Sequence, residues 1–344
     1  MINVSLLGAS GYTGMELALL VEQHPKMQLQ GMYVSEHSQD AGKALWQLDS
    51  RFYQVPFTDD KLTLTALSDA VLDQVAEQSD LIFLATPHEF SHDISARLMQ
   101  QGAKLLDLSG AFRIKDTAVF SQFYGFEHQQ NALLQQAVYG LAEWYAEDIK
   151  QADLVAVPGC YPTASLLALK PLQAAGLIDN TVLPVINATS GVSGAGRKAS
   201  MTNSLCEVSL QSYGVLSHRH QPEISSYLHN DVIFTPHLGN FKRGILATIT
   251  LKLQANVTES AIQDAYQSAY GQSDIVKMLP VWPKLDQVVN SPKCHLHWQY
   301  SAQNHYIVIS SAIDNLLKGA ASQAMQCANL MQGWPDSLGL TQGN

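Results

Sequence analysis

Residues 2–23 constrain this chain more than any other stretch. An apolar run at 2–7 leads directly into Gly8-Ala9-Ser10-Gly11-Tyr12-Thr13-Gly14, and residues 15–23 continue with amphipathic helical spacing. Strand, glycine turn and helix together make a phosphate-binding unit. One glycine turns the chain, another admits a pyrophosphate, and the helix N-terminus faces the anion. The GxxGxxG spacing is a variant of the usual GxGxxG. The expectation is a Rossmann-type dinucleotide-binding domain, with Gly8, Ser10, Gly11, Tyr12, Thr13 and Gly14 against the cofactor. Residues 28–34 read as the second strand, ending in Val34-Ser35 with Glu36 beyond. An NAD-preferring site usually carries an acidic residue at that strand end. A serine hydrogen-bonds a ribose 2′-phosphate that a carboxylate would repel, so Ser35 favours NADP, although Glu36 argues the other way.

Strands are expected at 80–86 and 104–108. Thr86 and Pro87 end the first, where a nicotinamide would lie, and Pro87 opens a helix to about residue 101. That helix holds His88-Glu89-Phe90-Ser91-His92, a match to the zinc pattern HExxH. A zinc site needs both histidines on a helix face with a third ligand downstream. At the first turn of a Rossmann crossover the match reads as coincidence, and no metal is expected. The second strand ends in Asp107-Leu108-Ser109-Gly110-Ala111-Phe112-Arg113, which places Arg113 to reach the crevice where open α/β sheets bind ligands, although a surface ion-pairing arginine would read the same. Residues 116–143 are aromatic and read as loop-rich.

The chemistry centres on residues 154–171, LVAVPGCYPTASLLALKP. A short apolar strand ends in Pro158-Gly159, and a helix is expected over 163–170 with Pro171 after it. Cys160 sits at the hand-over, where unpaired N–H groups and the positive end of the helix dipole favour a thiolate. That context suits a nucleophile better than a buried structural thiol.

Further on, residues 181–188 read as a strand followed by Thr189-Ser190-Gly191-Val192-Ser193-Gly194-Ala195-Gly196-Arg197-Lys198, a small-residue loop ending in two cations. The stretch Ser217-His218-Arg219-His220-Gln221-Pro222-Glu223 leads into a helix, Pro222 in its first turn and Glu223 at its acidic start. On an extended chain His218 and His220 point to one side and Arg219 to the other. His218 is then the expected acid/base, with His220, nearer the helix start and open to a capping role, as the alternative. Glu223 would orient either ring. Strands at 231–236 and 244–253 suggest an α+β second domain. A long helix is expected from about 314 to 331, with the tail after Gly333 loosely ordered.

At 344 residues the chain is long enough for two domains, and 46% apolar with 15% charged residues describes a globular protein. A net charge of −10 argues against nucleic-acid or anionic-membrane binding. Cys160, Cys206, Cys294 and Cys327 are scattered, without a CxxC pair, so a reducing cytoplasm is expected. There is no signal-like or bilayer-length apolar run.

Taken together, GASGYTG at 8–14, DLSGAFR at 107–113, VYGLAE at 138–143, PGCYPT at 158–163, SGVSGAGRK at 190–198, HRHQPEI at 218–224, FTPH at 234–237, RGIL at 243–246 and IDNLLKGAA at 313–321 resemble the N-acetyl-γ-glutamyl-phosphate reductase family. The resemblance spans almost the whole chain. The related aspartate-semialdehyde dehydrogenases would place a histidine just after a stretch like Arg243-Gly244, where this chain has Ile245. The resemblance implies an NADP-binding domain over 1–159, a catalytic and dimerising α+β domain over 160–312, and a helix at about 313–332 returning to the first. It implies that Cys160 attacks an acyl phosphate to form a thioester, which NADPH reduces with a histidine as proton donor. Asn315 would lie near the nicotinamide, Ser193 and Gly194 at the cofactor, and Ser109, Arg113, Arg197, Lys198 and Arg219 around the phosphate. A homodimer or homotetramer is implied. A cysteine–histidine hydrolase would not need the turn at 8–14, and a redox-sensing regulator would not need a phosphate-binding arginine.

Overall fold

The computed structural model describes residues 1–54 and 62–341. The chain divides into two compact units, Met1–Pro158 with Ala320–Asn344, and Gly159–Gly319.

The first unit is a seven-stranded sheet. Its strands are β1 (Ile2–Leu7), β2 (Met27–Ser35), β3 (Leu64–Leu67), β4 (Leu81–Leu84), β5 (Lys104–Asp107), β6 (Val138–Tyr139) and β7 (Leu154–Ala156). They lie in the order β3-β2-β1-β4-β5-β7-β6, with every pairing parallel. β4 is buried at every position, as a parallel strand covered on both faces requires. Its helices are α1 (Tyr12–Glu22), α2 (Asp69–Gln78), α3 (His88–Gln100), α4 (Thr117–Tyr124), α5 (Asn131–Gln136), α6 (Ala142–Lys150) and, after the second unit, α10 (Ser322–Met331). The strand order reverses between β1 and β4, so the crevice of such a sheet lies at their C-terminal ends.

The segment expected to be loop-rich, 116–143, instead holds α4, α5 and β6, and α6 begins at its end. Asp116 caps α4 by accepting the N–H groups of Ala118 and Val119, and Gly125 closes it in the left-handed conformation. Residues 334–338 of the tail are packed rather than loose: Trp334 stacks on His24, and the Asn329 amide donates to Asp336 O and Leu338 O; Gly343 lies outside the described residues.

The second unit contains α7 (Cys160–Ala174), α8 (His220–Leu228) and α9 (Glu259–Tyr270), with β8 (Val185–Gly191), β9 (Gln211–Ser212), β10 (Ile233–Gly239), β11 (Ile245–Lys252), β12 (Val276–Met278), β13 (Cys294–Ser301) and β14 (Tyr306–Ile313). Its mixed sheet runs β12-β13-β14-β11-β8-β10-β9. The alternating burial of β11 shows one face turned to a core and one less covered. No described helix is long and apolar enough to cross a membrane. Residues 313–319, expected in the returning helix, belong to this unit, and α10 starts only at Ser322.

The helix behind Cys160 is longer than expected. α7 passes through Pro171 instead of stopping before it. Proline has no N–H, so the carbonyl four residues earlier, Leu167 O, loses its helical donor. The buried Tyr270 hydroxyl of α9 donates to it at 2.7 Å, and Tyr266 donates to the neighbouring Ala168 O at 2.7 Å. Tertiary donors therefore let the helix continue. Tyr270→Phe should leave that carbonyl buried without its hydroxyl donor and destabilise the protein by about 1–3 kcal/mol. Urea unfolding of the variant against the parent checks this, and an unchanged midpoint would mean the hydroxyl does not sustain the helix.

Candidate active site

In the first unit, the glycine turn is shaped by close approach. Gly8 has φ +85°, and a Cβ there would meet Ala85 O at 2.2 Å. A Cβ on Gly14 would lie 2.4 Å from Gly8 O. These two glycines close the turn against β4 and onto itself. The N–H groups of Gly8 and Ala9 donate to Tyr33 O, which ties the turn to the end of β2. Gly11 caps α1 without a side-chain bond, the first turn holds no acidic residue, and a Cβ on Gly11 would have only Gly8 O nearby, at 3.4 Å. An uncapped helix start on the open side of the turn fits a dinucleotide pyrophosphate. Ser10, Tyr12 and Thr13 are half-buried around it, and exposed Ser35 ends β2.

Other expected residues of this unit are held by the fold. Thr86 bonds Ser91 at 2.7 Å, and Pro87 precedes α3. His88 Nδ1 accepts the Gly110 N–H at 2.7 Å, while His92 Nδ1 bonds Asp93 and its Nε2 accepts the Gln129 N–H. The two rings of the HExxH match are thus engaged by different groups, and among the described residues no group of three His, Cys, Asp or Glu could hold a metal ion. The Ser109 hydroxyl donates to buried Asp107 at 2.8 Å and accepts the Ala111 N–H. Burial raises the Asp107 carboxyl above the usual range. Arg113 is buried as well, donating from Nε to Val157 O at 2.7 Å and from Nη2 to Leu108 O at 2.8 Å. It clamps the ends of the β5 and β7 segments.

In the second unit, Cys160 is the first residue of α7. Gly159 caps that helix without a side-chain bond, and its own first turn has no acidic residue, so negative charge on Sγ faces the positive end of the dipole. His220 opens α8 with its ring against Gly159: a Cβ on Gly159 would lie 2.4 Å from Nε2. One turn on, fully buried Glu223 accepts the Gly159 N–H at 2.9 Å. α8 therefore holds the residue before the cysteine by a ring and by a carboxylate.

The His218–His220 segment is not extended. Arg219 lies in the helical region at φ −57°, ψ −20°, and α8 begins at His220. The imidazoles meet, with centroids 4.8 Å apart, because the chain turns. The capping role also falls to the other histidine: His218 Nδ1 accepts the His220 main-chain N–H at 3.1 Å. That bond leaves the proton of the neutral ring on Nε2. Burial, with Arg219 beside it, pushes the His218 pKa down to about 4, so this ring is neutral near pH 7. Tyr161 sets its ring edge-on to both histidines, donates to His237 O at 3.1 Å and shares a bond with Tyr213 at 3.2 Å. Burial raises both phenols above their ordinary range and keeps them protonated.

Gly319 also packs on the cysteine. A Cβ there would lie 2.7 Å from Cys160 Cβ and 3.2 Å from its Cα. Gly319 sits in a π-helical turn, Leu317–Ala321, and its N–H donates five residues back to Asp314 O at 2.9 Å. Asp314 is fully buried; Oδ1 accepts the N–H groups of Leu316 and Leu317, and Oδ2 accepts that of Asn290 and pairs with Arg243. Asn315 joins two loops, accepting the Gly244 N–H at 2.7 Å and donating to the Ser193 hydroxyl at 2.9 Å. Gly194, Arg197, Lys198 and Arg219 are exposed.

Cys160, His218, His220 and Glu223 thus stand in one cluster. Gly319, Tyr161, Tyr213 and the Arg243–Asp314 pair were not singled out by chemistry in the sequence. A glycine has no reactive group to notice, and the tyrosines and the ion pair act through contacts between distant segments.

Two family models match the chain: "Semialdehyde dehydrogenase, NAD binding domain" over residues 3–152 and "Semialdehyde dehydrogenase, dimerisation domain" over residues 160–315. An N-acetyl-gamma-glutamyl-phosphate reductase of Pseudoalteromonas atlantica is 59% identical over 340 residues, 99% of this chain and 98% of that one. One of Vibrio parahaemolyticus is 54% identical over 341 residues, 99% of this chain and 100% of that one. Among solved structures, aspartate semialdehyde dehydrogenase II from Vibrio cholerae superposes with a TM-score of 0.71 at 17% identity, covering 97% of this chain and 99% of that one. The enzyme from Candida albicans, solved with NADP, gives 0.69 at 14% identity, covering 96% and 99%. These structures share the fold, and the full-length identity to the named relatives shows that the chain belongs to the N-acetyl-gamma-glutamyl-phosphate reductase family of semialdehyde dehydrogenases.

Proposed function

We propose that this chain reduces N-acetyl-γ-glutamyl phosphate to N-acetylglutamate semialdehyde with release of phosphate. The observation that carries the reading is Cys160 at an uncapped helix start, with His220 against the preceding residue. Cys160 Sγ attacks the acyl carbon, the C–O bond to phosphate breaks, and a thioester remains on the sulfur. NADPH, held at the turn of Gly8, Gly11 and Gly14 with Ser35 toward its 2′-phosphate, would supply the hydride that reduces the thioester. The Cys160 thiolate then leaves as the aldehyde forms. The first N–H groups of α7 lie next to the reacting carbonyl, where an oxyanion develops.

The proton work goes to His220. His218 holds its proton on Nε2 and stays neutral, whereas His220 lies beside the nucleophile and supplies the proton that the departing phosphate takes up. Glu223 acts as a positioning residue through Gly159. Arg197, Lys198 and Arg219 are the exposed cations for the phosphate, with Arg113 as a fixed charge and Ser109 shaping its loop; Ser193, Gly194 and Asn315 form a loop for the nicotinamide side. Assembly as a homodimer or homotetramer through residues 160–312, and work in the cytoplasm, fit the dimerisation-domain match and four cysteines without a disulfide. NADPH absorbance followed with the acyl phosphate tests the reading, and a protein inert in this assay and in its reverse would overturn it.

Cys160→Ser should abolish turnover while the NADP dissociation constant stays within about two-fold, because serine lacks the nucleophilic thiolate. In single-turnover experiments, His220→Asn should slow phosphate release and thioester formation roughly 10²–10⁴-fold, the scale for a lost general acid. His218→Asn should cost less, and the reverse ranking would return the acid role to His218.

Gly319→Ala forces its Cβ onto Cys160, and displacing the reacting atom by about 1 Å costs on the order of 10²-fold in rate. The drop is expected in kcat with NADP binding kept; a variant with parental kcat would show that the contact is slack.

Ser35→Asp should shift cofactor preference from NADP towards NAD, since a carboxylate repels the 2′-phosphate and accepts from a 2′-hydroxyl. The ratio of kcat/KM with the two cofactors measures it, and equal use of both by the parent would remove Ser35 from that role.

A further inference from the structure

One buried cation takes no part in the chemistry above. Lys170 lies in the last third of α7 and is 5% exposed. Burial pulls its amine below the ordinary lysine range, whereas an apolar side chain of like size would fill the space without that desolvation. What the amine adds is a bond: Nζ donates to Tyr227 O of α8 at 3.1 Å. Tyr227 O is one of the last four carbonyls of α8, which have no donor within their own helix, and a cation beside them meets the negative end of the dipole. The helix stops directly afterwards, at His229 in the left-handed conformation with φ +55°.

The opposite charge bonds the other end. Glu223, in the first turn of α8, accepts the N–H of Gly159, the cap of α7, at 2.9 Å. α7 and α8 thus run in the same sense, with their starts together. Side-by-side dipoles of one sense repel, and each end of this pair has a counter-charge between the helices: a carboxylate at the two N-termini, a lysine at the C-terminal end of α8. α8 has nine residues, too few to be stable without tertiary support. α7 is itself held from α9 by the Tyr266 and Tyr270 hydroxyls. The Lys170 bond therefore ties the short helix to an anchored one. With Glu223 as a pivot, Tyr227 and His220 stand on opposite sides of it, about 6 Å and about 4.5 Å along the axis. Freedom at one appears as movement at the other.

We propose that Lys170 is a positioning residue for His220: its bond to Tyr227 O fixes the far end of α8 and so keeps the imidazole against Gly159, in register with the nucleophile. The proposal rests on the acid role given to His220 above. A displacement of about 1 Å at a reacting group costs on the order of 10²-fold in rate, so even a part of that tilt is readable in the step that His220 serves. The glycine turn of residues 8–14 belongs to the other unit, and cofactor binding there should not respond.

The test uses Lys170→Met, which keeps the apolar stem and removes the donor, alone and together with His220→Asn. Single-turnover release of phosphate from the acyl phosphate should slow at least ten-fold in Lys170→Met, with the NADP dissociation constant within two-fold of the parent. In the His220→Asn background the same substitution should cost less than two-fold, because the ring it positions is gone. A parental rate in the single variant, or losses that multiply in the double variant, overturns the proposal. If Lys170→Met fails to fold, hydrogen exchange of the unaltered protein decides: the amides of residues 226–229 should exchange slowly, and exchange at the rate of an open loop overturns the proposal. If the parent releases no phosphate from the acyl phosphate, the proposed function fails and the clamp is judged by exchange in Lys170→Met. Faster exchange over residues 220–228 with 259–270 unchanged upholds the clamp, and unchanged exchange over 220–228 overturns it.

Discussion

The position of one sulfur atom depends on two residues that have no side chain. Gly159 lets the His220 ring come within 2.4 Å of where its Cβ would be, and Gly319 does the same for the Cys160 Cβ at 2.7 Å. Real Cβ atoms do not tolerate such distances, so each glycine converts missing volume into closeness. The cysteine needs that closeness because a helix dipole acts over about one turn and a proton donor over a hydrogen-bond length. A displacement the size of a methyl group breaks the hydrogen-bond reach and weakens the dipole's hold.

Holding Gly319 in place requires a helix turn wider than the α-helical one. In a regular α-helix its N–H would bond four residues back; here it reaches five, to Asp314 O. The widened turn is stabilised by the Asp314 carboxylate, which takes the N–H groups of Leu316 and Leu317 at its start. A fully buried carboxylate is costly unless its lone pairs are filled and its charge is met. Asn290 supplies a further N–H and Arg243 the charge. The Arg243–Asp314 pair thus acts on the reacting centre indirectly: it permits the π-turn, and the π-turn presents the glycine. Asn315, next in sequence, fixes the Ser193 and Gly244 loops by the same logic of one side chain bonding two distant segments.

Five strands of the first sheet, the glycine turn and the cysteine at a helix start are legible in the amino-acid order alone, because periodicity and turn chemistry act over a few residues; the short strands β3 and β6 are not. Where distant segments supply the deciding contact, local signals mislead. Pro171 reads as a helix stop, and only Tyr270 and Tyr266, about a hundred residues later, permit the helix to continue. The tail is polar and rich in glycine and proline, yet Trp334 finds His24, and Gly339 lies against the same ring. The α4 helix carries its own signals, Asp116 before it and Gly125 after it, hidden by the aromatic residues between. Gly319 stands inside a recognisable stretch, but its importance is steric and emerges only with Cys160 placed beside it.

The two histidines show how a small backbone difference reassigns chemistry. On an extended chain His218 would be the freer ring. With Arg219 helical, His218 becomes the cap, its Nδ1 accepts the N–H at the start of α8, and the proton of its neutral ring is left on Nε2. Two cationic rings 4.8 Å apart would repel strongly in a buried setting, so only one member of such a pair carries charge at a time. Burial and the adjacent Arg219 have already made that choice for His218, by pushing its pKa down to about 4. A neutral neighbour places no charge against a proton on His220, and its own Nε2–H remains available as a hydrogen-bond donor. In the proposed mechanism, the division between a neutral ring and a ring that moves a proton would therefore be written in the turn at residue 219, ahead of any pKa at the second ring.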